Sequence, residues 1–469
     1  MSSLPTYVAS AQSVPRANRA AWYKNTAPTY AGIMLWFVFW QDIVKGGGEP
    51  GGVLSMGAGT ALLGLAIAAL LCHFLFYLVP GKLGMQTGLP LYVVGTSTYG
   101  VTGGLFMPGF LMGLLQFGWL AVNAMAVSTL FCDCLKWNSK APSLSHGIVA
   151  AIFAVTCAFI GLKGIGYVAR VATYLPLIPL FVLLILLIKT IGGVIEFTPA
   201  RIIGEPNPQS LAPLSTWGVL AILCTYVVGF FATAGAAGAD IASNSRDNRD
   251  VQLGGLAGIT LATFVAGGAA ILIVAGIYSA GLVSAANQGN CNPITLMSDI
   301  LGPGTVKTIM ILLAISSFPA ACFSAFIAAN CFKTTMPNVN PSISVGIGTL
   351  IAVVLAVTGI VGKVIWVFVV IGASFGPVCG AMAADYLLSG RKWAGPRAGF
   401  NPAGWISWIV GFAVGAFDLV ADWIPAMANY RGMVPVPPVA AFIVGFVLYY
   451  LFAKLGLESK KLELPAKIA

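Results

Sequence analysis

A chain of 469 residues, of which 58% are hydrophobic and only 8% charged, with a mean hydropathy of +0.91, is not a water-soluble protein. Soluble domains carry about 25% charged residues, so lipid must cover most of this surface, and nucleic-acid binding, secretion and soluble catalysis are excluded together. The formal charge of +10 need signify no anionic partner, because membrane proteins keep lysine and arginine on their cytoplasmic side.

Residues 1–27 are polar and basic and read as a short solvated tail, with no secretory signal visible in them. A spanning helix needs about 20 mainly apolar residues, since every backbone amide must be satisfied within the segment. Twelve stretches meet that requirement. In the first half they are 28–45, 54–79, 104–131, 146–164, 171–191 and 216–240. In the second half they are 254–282, 305–332, 343–361, 364–388, 404–422 and 435–454. With the tail and every second loop taken as one face, that face carries sixteen of the 24 basic residues, among them Arg16, Arg19, Lys82, Arg246, Lys333, Arg397 and Lys460. The positive-inside rule then puts both termini in the cytoplasm of a multi-pass protein of the plasma membrane. No loop is long enough to fold alone, so function is expected inside the helix bundle.

Six of the nine cysteines, Cys72, Cys157, Cys224, Cys322, Cys331 and Cys379, lie in apolar runs and behave as small hydrophobes. Cys132, Asp133 and Cys134 lack the four-ligand spacing of a structural zinc site, and His73 and His146 stand on different spans with no metal-binding spacing. No metal and no cofactor is expected, nor is an enzyme. A pore-lining stripe of charges or carbonyls is also missing, which counts against a channel.

Polar and helix-breaking residues at membrane depth are the informative ones. Span one reads Leu35-Trp36-Phe37-Val38-Phe39-Trp40-Gln41-Asp42, a polar pair closing an aromatic run, before Gly46-Gly47-Gly48. Span six runs from Gly229 to Asp240 through Phe230, Phe231, Thr233 and Gly235, rich in glycine and alanine. These two spans open two successive sets of five helices, and five is odd, so the sets cross the membrane with opposite polarity. Matching interrupted helices in inverted repeats point to a transporter's central site.

Several stretches then resemble the nucleobase:cation symporter-1 family, within it the cytosine permeases. They are Gly84-Met85-Gln86-Thr87-Gly88-Leu89-Pro90, Ser97-Thr98-Tyr99-Gly100-Val101-Thr102-Gly103 and Gln116-Phe117-Gly118-Trp119-Leu120-Ala121-Val122-Asn123. Phe159 to Gly164, Gly229 to Asn248 and Ala384-Asp385-Tyr386 continue the pattern in order, whereas span eight matches poorly. The resemblance implies an all-α membrane protein of the leucine-transporter type. Its ten-helix core would occupy 28–390, with inverted repeats over 28–191 and 216–388, two peripheral helices over 391–455 and a cytoplasmic tail over 456–469. It implies import of a nucleobase by cation-coupled alternating access, cytosine first. A purine, uracil, hydantoin, allantoin or thiamine-precursor pyrimidine on the same fold remains open, as does a non-transporting receptor or channel.

Carried over by motif, Trp119 and Phe231 would sandwich the flat substrate, a geometry that aromatic stacking rewards by about 0.5–1.5 kcal/mol beyond area burial. Asn123 lies one turn beyond Trp119 on the same helix face, and its amide suits the amide and amidine edge of a pyrimidine. Thr233, an unwound backbone around Gly235, and Gln41 are further substrate candidates.

The coupling ion is expected to be Na+ or H+. In the family's sodium-using members the ion lies between the break in span one and span eight; here that places the carbonyls of Trp36 and Trp40 with Ser317 as ligands. Ala320 and Ala321 stand where those members carry hydroxyls, which weighs against sodium. Asp42 is an acid at membrane depth that would carry a proton, hold a cation or pair with Lys45 one turn away. Asp240 reads as part of a solvated cytoplasmic loop or an inner-gate salt bridge. Partners other than substrate and lipid are not indicated, and no pattern encodes an oligomeric state.

Overall fold

The computed structural model describes residues 4–25, 48–163, 174–204, 211–283 and 293–463. Span one, with Trp36, Trp40, Gln41, Asp42 and Lys45, lies outside the described residues. Those described form helices and turns, joined by two isolated bridges, Ala20 with Ser245 and Arg397 with Lys461.

Among the described residues nine helices are long and apolar enough to cross a membrane, and they follow the expected order. Span two is Ala58–Thr87, span three Leu105–Cys134, span four Leu144–Lys163, span five Leu177–Ile195 and span six Thr216–Ala236. Span seven is Asn248–Ser279, span eight Pro303–Thr335, span ten Trp366–Leu388 and span twelve Pro437–Lys454. Span nine, Pro341–Val357, is a shorter apolar helix, and span eleven bends by 55° between Pro402–Gly415 and Phe417–Trp423. The chain is a multi-pass membrane protein.

Several spans are wound irregularly, for residue-level reasons. Span two passes through a π-helical turn at Cys72–Tyr77, and span seven through one at Leu256–Leu261. A third, Leu105–Phe110, opens span three around Pro108, with Met107 extended at φ −134° and ψ 111°. Span eight is two helices, Pro303–Ser316 and Phe318–Thr335, meeting at Ser317; Pro319 has no amide proton to give the carbonyl four residues back.

Lipid tails are as apolar as leucine, so close approach rather than water exclusion holds such helices together. Glycines make that approach possible. A Cβ on Gly84 would lie 2.0 Å from the carbonyl oxygen of Ala239. The buried apolar side chains fall into two clusters. The smaller one joins spans three, four, eight and nine through Phe117, Ala154, Cys157, Ala325, Phe332 and Ala352, and Phe117 stacks on Phe332 at 5.7 Å. The larger one holds most of the rest, including Trp119. Span three therefore presents Phe117 to one cluster and Trp119 to the other, and span eight likewise contributes to both.

Both tails are more ordered than a solvated-tail reading expects. Val8 is fully buried, the Tyr7 hydroxyl donates to the Val101 carbonyl at 2.5 Å, Arg19 to that of Met85 at 2.6 Å, and the Trp22 amide to Asp250 at 3.1 Å. At the other end Ser459 donates its amide to Asn401 at 3.0 Å and Leu462 to the Pro396 carbonyl at 2.8 Å. The polar backbone of each tail thus finds partners in the loops, and these contacts gather on the face where the sequence concentrates its basic residues.

Candidate substrate site

Trp119 is almost fully buried, and its indole Nε1 donates to the Thr233 hydroxyl at 3.0 Å. That bond joins span three to span six and fixes the indole plane. Two phenylalanines lie against it. Phe230 meets the indole edge-on at 4.7 Å, Phe368 of span ten lies tilted to it at 5.6 Å, and Phe230 and Phe368 meet edge-on at 5.3 Å. Gly229 is what lets span ten so close: a Cβ there would lie 2.6 Å from the Phe368 carbonyl oxygen.

The expected partner of Trp119, Phe231, is 2% exposed and packs edge-on against Phe230 at 4.9 Å. Adjacent helical residues point about 100° apart, so one of the two faces Trp119 while the other backs it. Sequence reasoning paired Phe231 with Trp119 across a bound ring; the ring in direct contact with the indole is Phe230. Phe230 and Phe368 were not among the sequence candidates, since a ring-on-ring contact across three spans leaves no local spacing by which to find it.

The other candidates divide. Asn123 is half-buried and donates from Nδ2 to the Trp119 carbonyl at 2.8 Å, which keeps its Oδ1 clear of the helix ladder. Thr233 is the acceptor of the indole proton, so its first role is to orient Trp119. Gly235 stays helical: the interruption comes at Ala237, after which Gly238–Ala242 continues as a short helix. A Cβ on Gly235 would lie 2.5 Å from the Cβ of Phe76, so this glycine admits span two. Ser317, at the joint of span eight, is fully buried with no partner for its hydroxyl among the described residues. Gln41, Asp42, Trp36 and Trp40 lie outside the described residues.

Asp240 is partly buried and accepts from the Leu91 amide at 3.4 Å, in place of the expected solvated loop or salt bridge. The buried ion pairs lie nearby on the same face. Arg397 binds Asp385 at 3.3 Å and Glu458 at 2.5 Å, and its Nε donates to the Ser97 carbonyl at 2.7 Å. Asp385 also accepts from the hydroxyls of Ser97 and Thr98, at 2.6 Å and 3.2 Å, and Glu458 from the Tyr449 hydroxyl at 3.0 Å. Burial opposes the guanidinium charge, but Tyr449, Asp385 and Glu458 around it hold its pKa above the ordinary value. This hub ties the loop before span three to spans ten and twelve and to the carboxyl-terminal segment.

The architecture is shared with known transporters. The chain superposes on Mhp1, a nucleobase-cation-symport-1 family transporter in a closed conformation with bromovinylhydantoin bound, at a TM-score of 0.68 and 14% identity, covering 97% of this chain and 96% of that one. The chain has the leucine-transporter fold. A Na+-coupled sialic acid symporter, substrate-bound and outward-open, is similar at a TM-score of 0.58 and 12% identity, over 96% of this chain and 92% of that one. MhsT in complex with L-phenylalanine is similar at 0.54 and 15% identity, over 95% and 99%. No protein-family model and no curated protein matches the sequence. In the leucine-transporter fold the five-plus-five repeat makes spans one and six counterparts, and likewise spans two and seven and spans three and eight. Trp119 and Ser317 therefore stand on paired elements.

Proposed function

We propose that this protein is a nucleobase:cation symporter-1 family member that imports a flat heteroaromatic ring, cytosine first among candidates, by cation-coupled alternating access across the plasma membrane with both termini in the cytoplasm. One observation carries the reading: an indole held by Thr233, on a span that contributes to both apolar clusters, with phenylalanine rings from spans six and ten around it. A planar ligand rewards such a site on both faces. Stacking needs roughly 3.5 Å on each side, so Trp119 and Phe230, whose centroids are 4.7 Å apart, must separate to admit it. Substrate then becomes a wedge whose affinity differs between open and closed states, and only such a difference lets a ligand drive the cycle. We assign the ring facing Trp119 to Phe230, with Phe231 as its backing, and the polar edge of the substrate to the free Oδ1 of Asn123 and to Gln41.

For the coupling ion, Ser317 supplies an unengaged hydroxyl at a broken helix, the oxygen chemistry a hard cation takes. Asp42 supplies an acid for a proton. Binding of labelled cytosine to the purified protein tests the site, with Phe230→Ala and Phe231→Ala compared side by side. The assignment predicts the larger loss of affinity in Phe230→Ala; a larger loss in Phe231→Ala returns the sandwich to the ring the sequence motif favours. The reading of a receptor or channel is tested by the same preparation in vesicles, where accumulation against a gradient belongs to a transporter alone.

A further inference from the structure

Spans ten and twelve pack side by side and run in the same direction, for Gly372, Gly376 and Gly380 meet Pro438, Ala441 and Phe442 in turn. They therefore end on one face, the face on which the sequence concentrates its basic residues. Just past these ends stand Arg391, Lys392, Lys454, Lys460 and Lys461, all exposed. The carboxyl-terminal segment is laid against the loop after span ten: the Ala398 amide donates to the Lys460 carbonyl at 2.8 Å, and Lys461 bridges to Arg397. Backbone hydrogen bonds thus gather cations from two separate stretches at one corner.

The acids nearby fall short of balancing them. Asp385 and Glu458 are both bound to Arg397, which leaves that hub formally at −1, and Glu463 is the one further acid of the described segment. Five cations against those two charges leave the corner at +3. Among the described residues none of the five forms an ion pair. The rest of the face differs. Arg19 is engaged by the carbonyls of Val14 and Met85, Arg246 is paired with Asp250, and Asp247 stands two residues from Arg249. Arg16, Lys24, Lys82 and Lys333 stand on four separate elements.

The corner also borders the bilayer. Leu387, Leu451 and Leu455 are 47%, 49% and 74% exposed, and the Lys454 Nζ lies 5.8 Å over the Tyr450 ring. Exposed leucines at the end of a spanning helix face acyl chains, and a lysine beside them extends its ammonium into the headgroup layer. Each such ammonium has three donors and no acceptor, and a phosphate offers the acceptors.

We propose that this corner binds the headgroup of an anionic phospholipid, with Lys392, Lys454, Lys460 and Lys461 on the phosphate and the acyl chains along the exposed leucines. The phosphate offsets the repulsion among the cations and so holds the carboxyl-terminal segment on its loop, where Glu458 reaches Arg397. Anionic lipids are concentrated in the cytoplasmic leaflet, the side on which the transport reading puts this face. The site goes beyond that reading and stands whether or not the protein moves cytosine. No helix has to part for the headgroup to reach it, because all five cations are exposed.

The test titrates full-length protein in mixed micelles with phosphatidylglycerol or phosphatidylcholine, counting bound lipid by native mass spectrometry and recording Tm. A basic residue near a membrane surface strengthens such binding roughly fivefold, so a preference for phosphatidylglycerol of at least about tenfold is expected, with a rise in Tm from that lipid alone. The combined variant Lys392→Gln, Lys454→Gln, Lys460→Gln and Lys461→Gln should lose both effects; Arg391, whose φ of 62° holds a left-handed turn, is left in place. Arg16→Gln combined with Lys24→Gln should keep both. Equal binding of the two lipids, a preference that the fourfold variant retains, or one lost as fully in the Arg16 and Lys24 variant overturns the proposal. Inorganic phosphate that displaces the lipid at equal concentration also overturns it, by marking a site for free phosphate. Should the fourfold variant not fold, Lys460→Gln with Lys461→Gln carries the same comparison with a smaller loss.

Discussion

Trp119 is held by one hydrogen bond and by ring contacts. The Thr233 hydroxyl fixes the indole direction, and the surrounding rings supply the contact surface. Trp119→Ala removes a stacking face, so the affinity for a flat ligand is expected to fall at least about tenfold, a loss of about 1.4 kcal/mol. Thr233→Val is nearly isosteric but leaves the indole proton unpaired, at about 1 kcal/mol, or roughly fivefold in affinity. Equilibrium binding to purified protein checks both, and Thr233→Ser should restore most of the second loss. Sequence reasoning singled out Trp119 and Thr233 as substrate contacts, and the structure joins the two by a hydrogen bond. The choice between Phe230 and Phe231 was not legible: near an interruption the phase of a helix is set by what packs on it, here Phe368 and Phe76, which come from far along the chain.

At the scale of elements, the glycines decide which helices touch. A Cβ on Gly84 would meet a backbone oxygen rather than a yielding side chain, so Gly84→Ala must push span two from the end of span six. Overpacking of this kind costs about 1–3 kcal/mol, and a lowered Tm in detergent, with ligand affinity reduced beside it, is the expected result. The spans themselves were readable because a bilayer forces about 20 apolar residues per crossing. The joint at Ser317 is marked by Pro319, but the bend in span eleven was not marked by composition, and the hub around Arg397 joins residues some 300 positions apart, between which no local pattern exists. Removing one member of a buried ion pair costs about 3–5 kcal/mol, because its partner's charge is left buried. Arg397→Ala, which strands the buried Asp385, is therefore expected to unfold at lower temperature than Glu458→Gln, which leaves the Asp385 pair intact. Thermal denaturation of the two variants compares them.

For the whole molecule, the proposed mechanism places ligand and ion in one gap, beside the spans that contribute to both apolar clusters. The smaller cluster joins spans three, four, eight and nine, and the larger one takes in the other described spans together with parts of spans three and eight, so a displacement of one against the other would act on the site. A cation held near Ser317 on span eight would bridge them. Coupling is therefore expected to be obligatory: Ser317→Ala should leave substrate binding measurable but reduce sodium stimulation if sodium is the ion, whereas Asp42→Asn should abolish the pH dependence of driven uptake if the proton is. The measurement that tests the central claim most directly is uptake of labelled cytosine into proteoliposomes under separately imposed sodium and proton gradients, with unlabelled purines, uracil, hydantoin and allantoin as competitors. The account predicts accumulation above equilibrium under one of the two gradients, lost in Trp119→Ala and competed by at least one flat ring. Uptake that merely equilibrates under both gradients, or that survives Trp119→Ala unchanged, would contradict it.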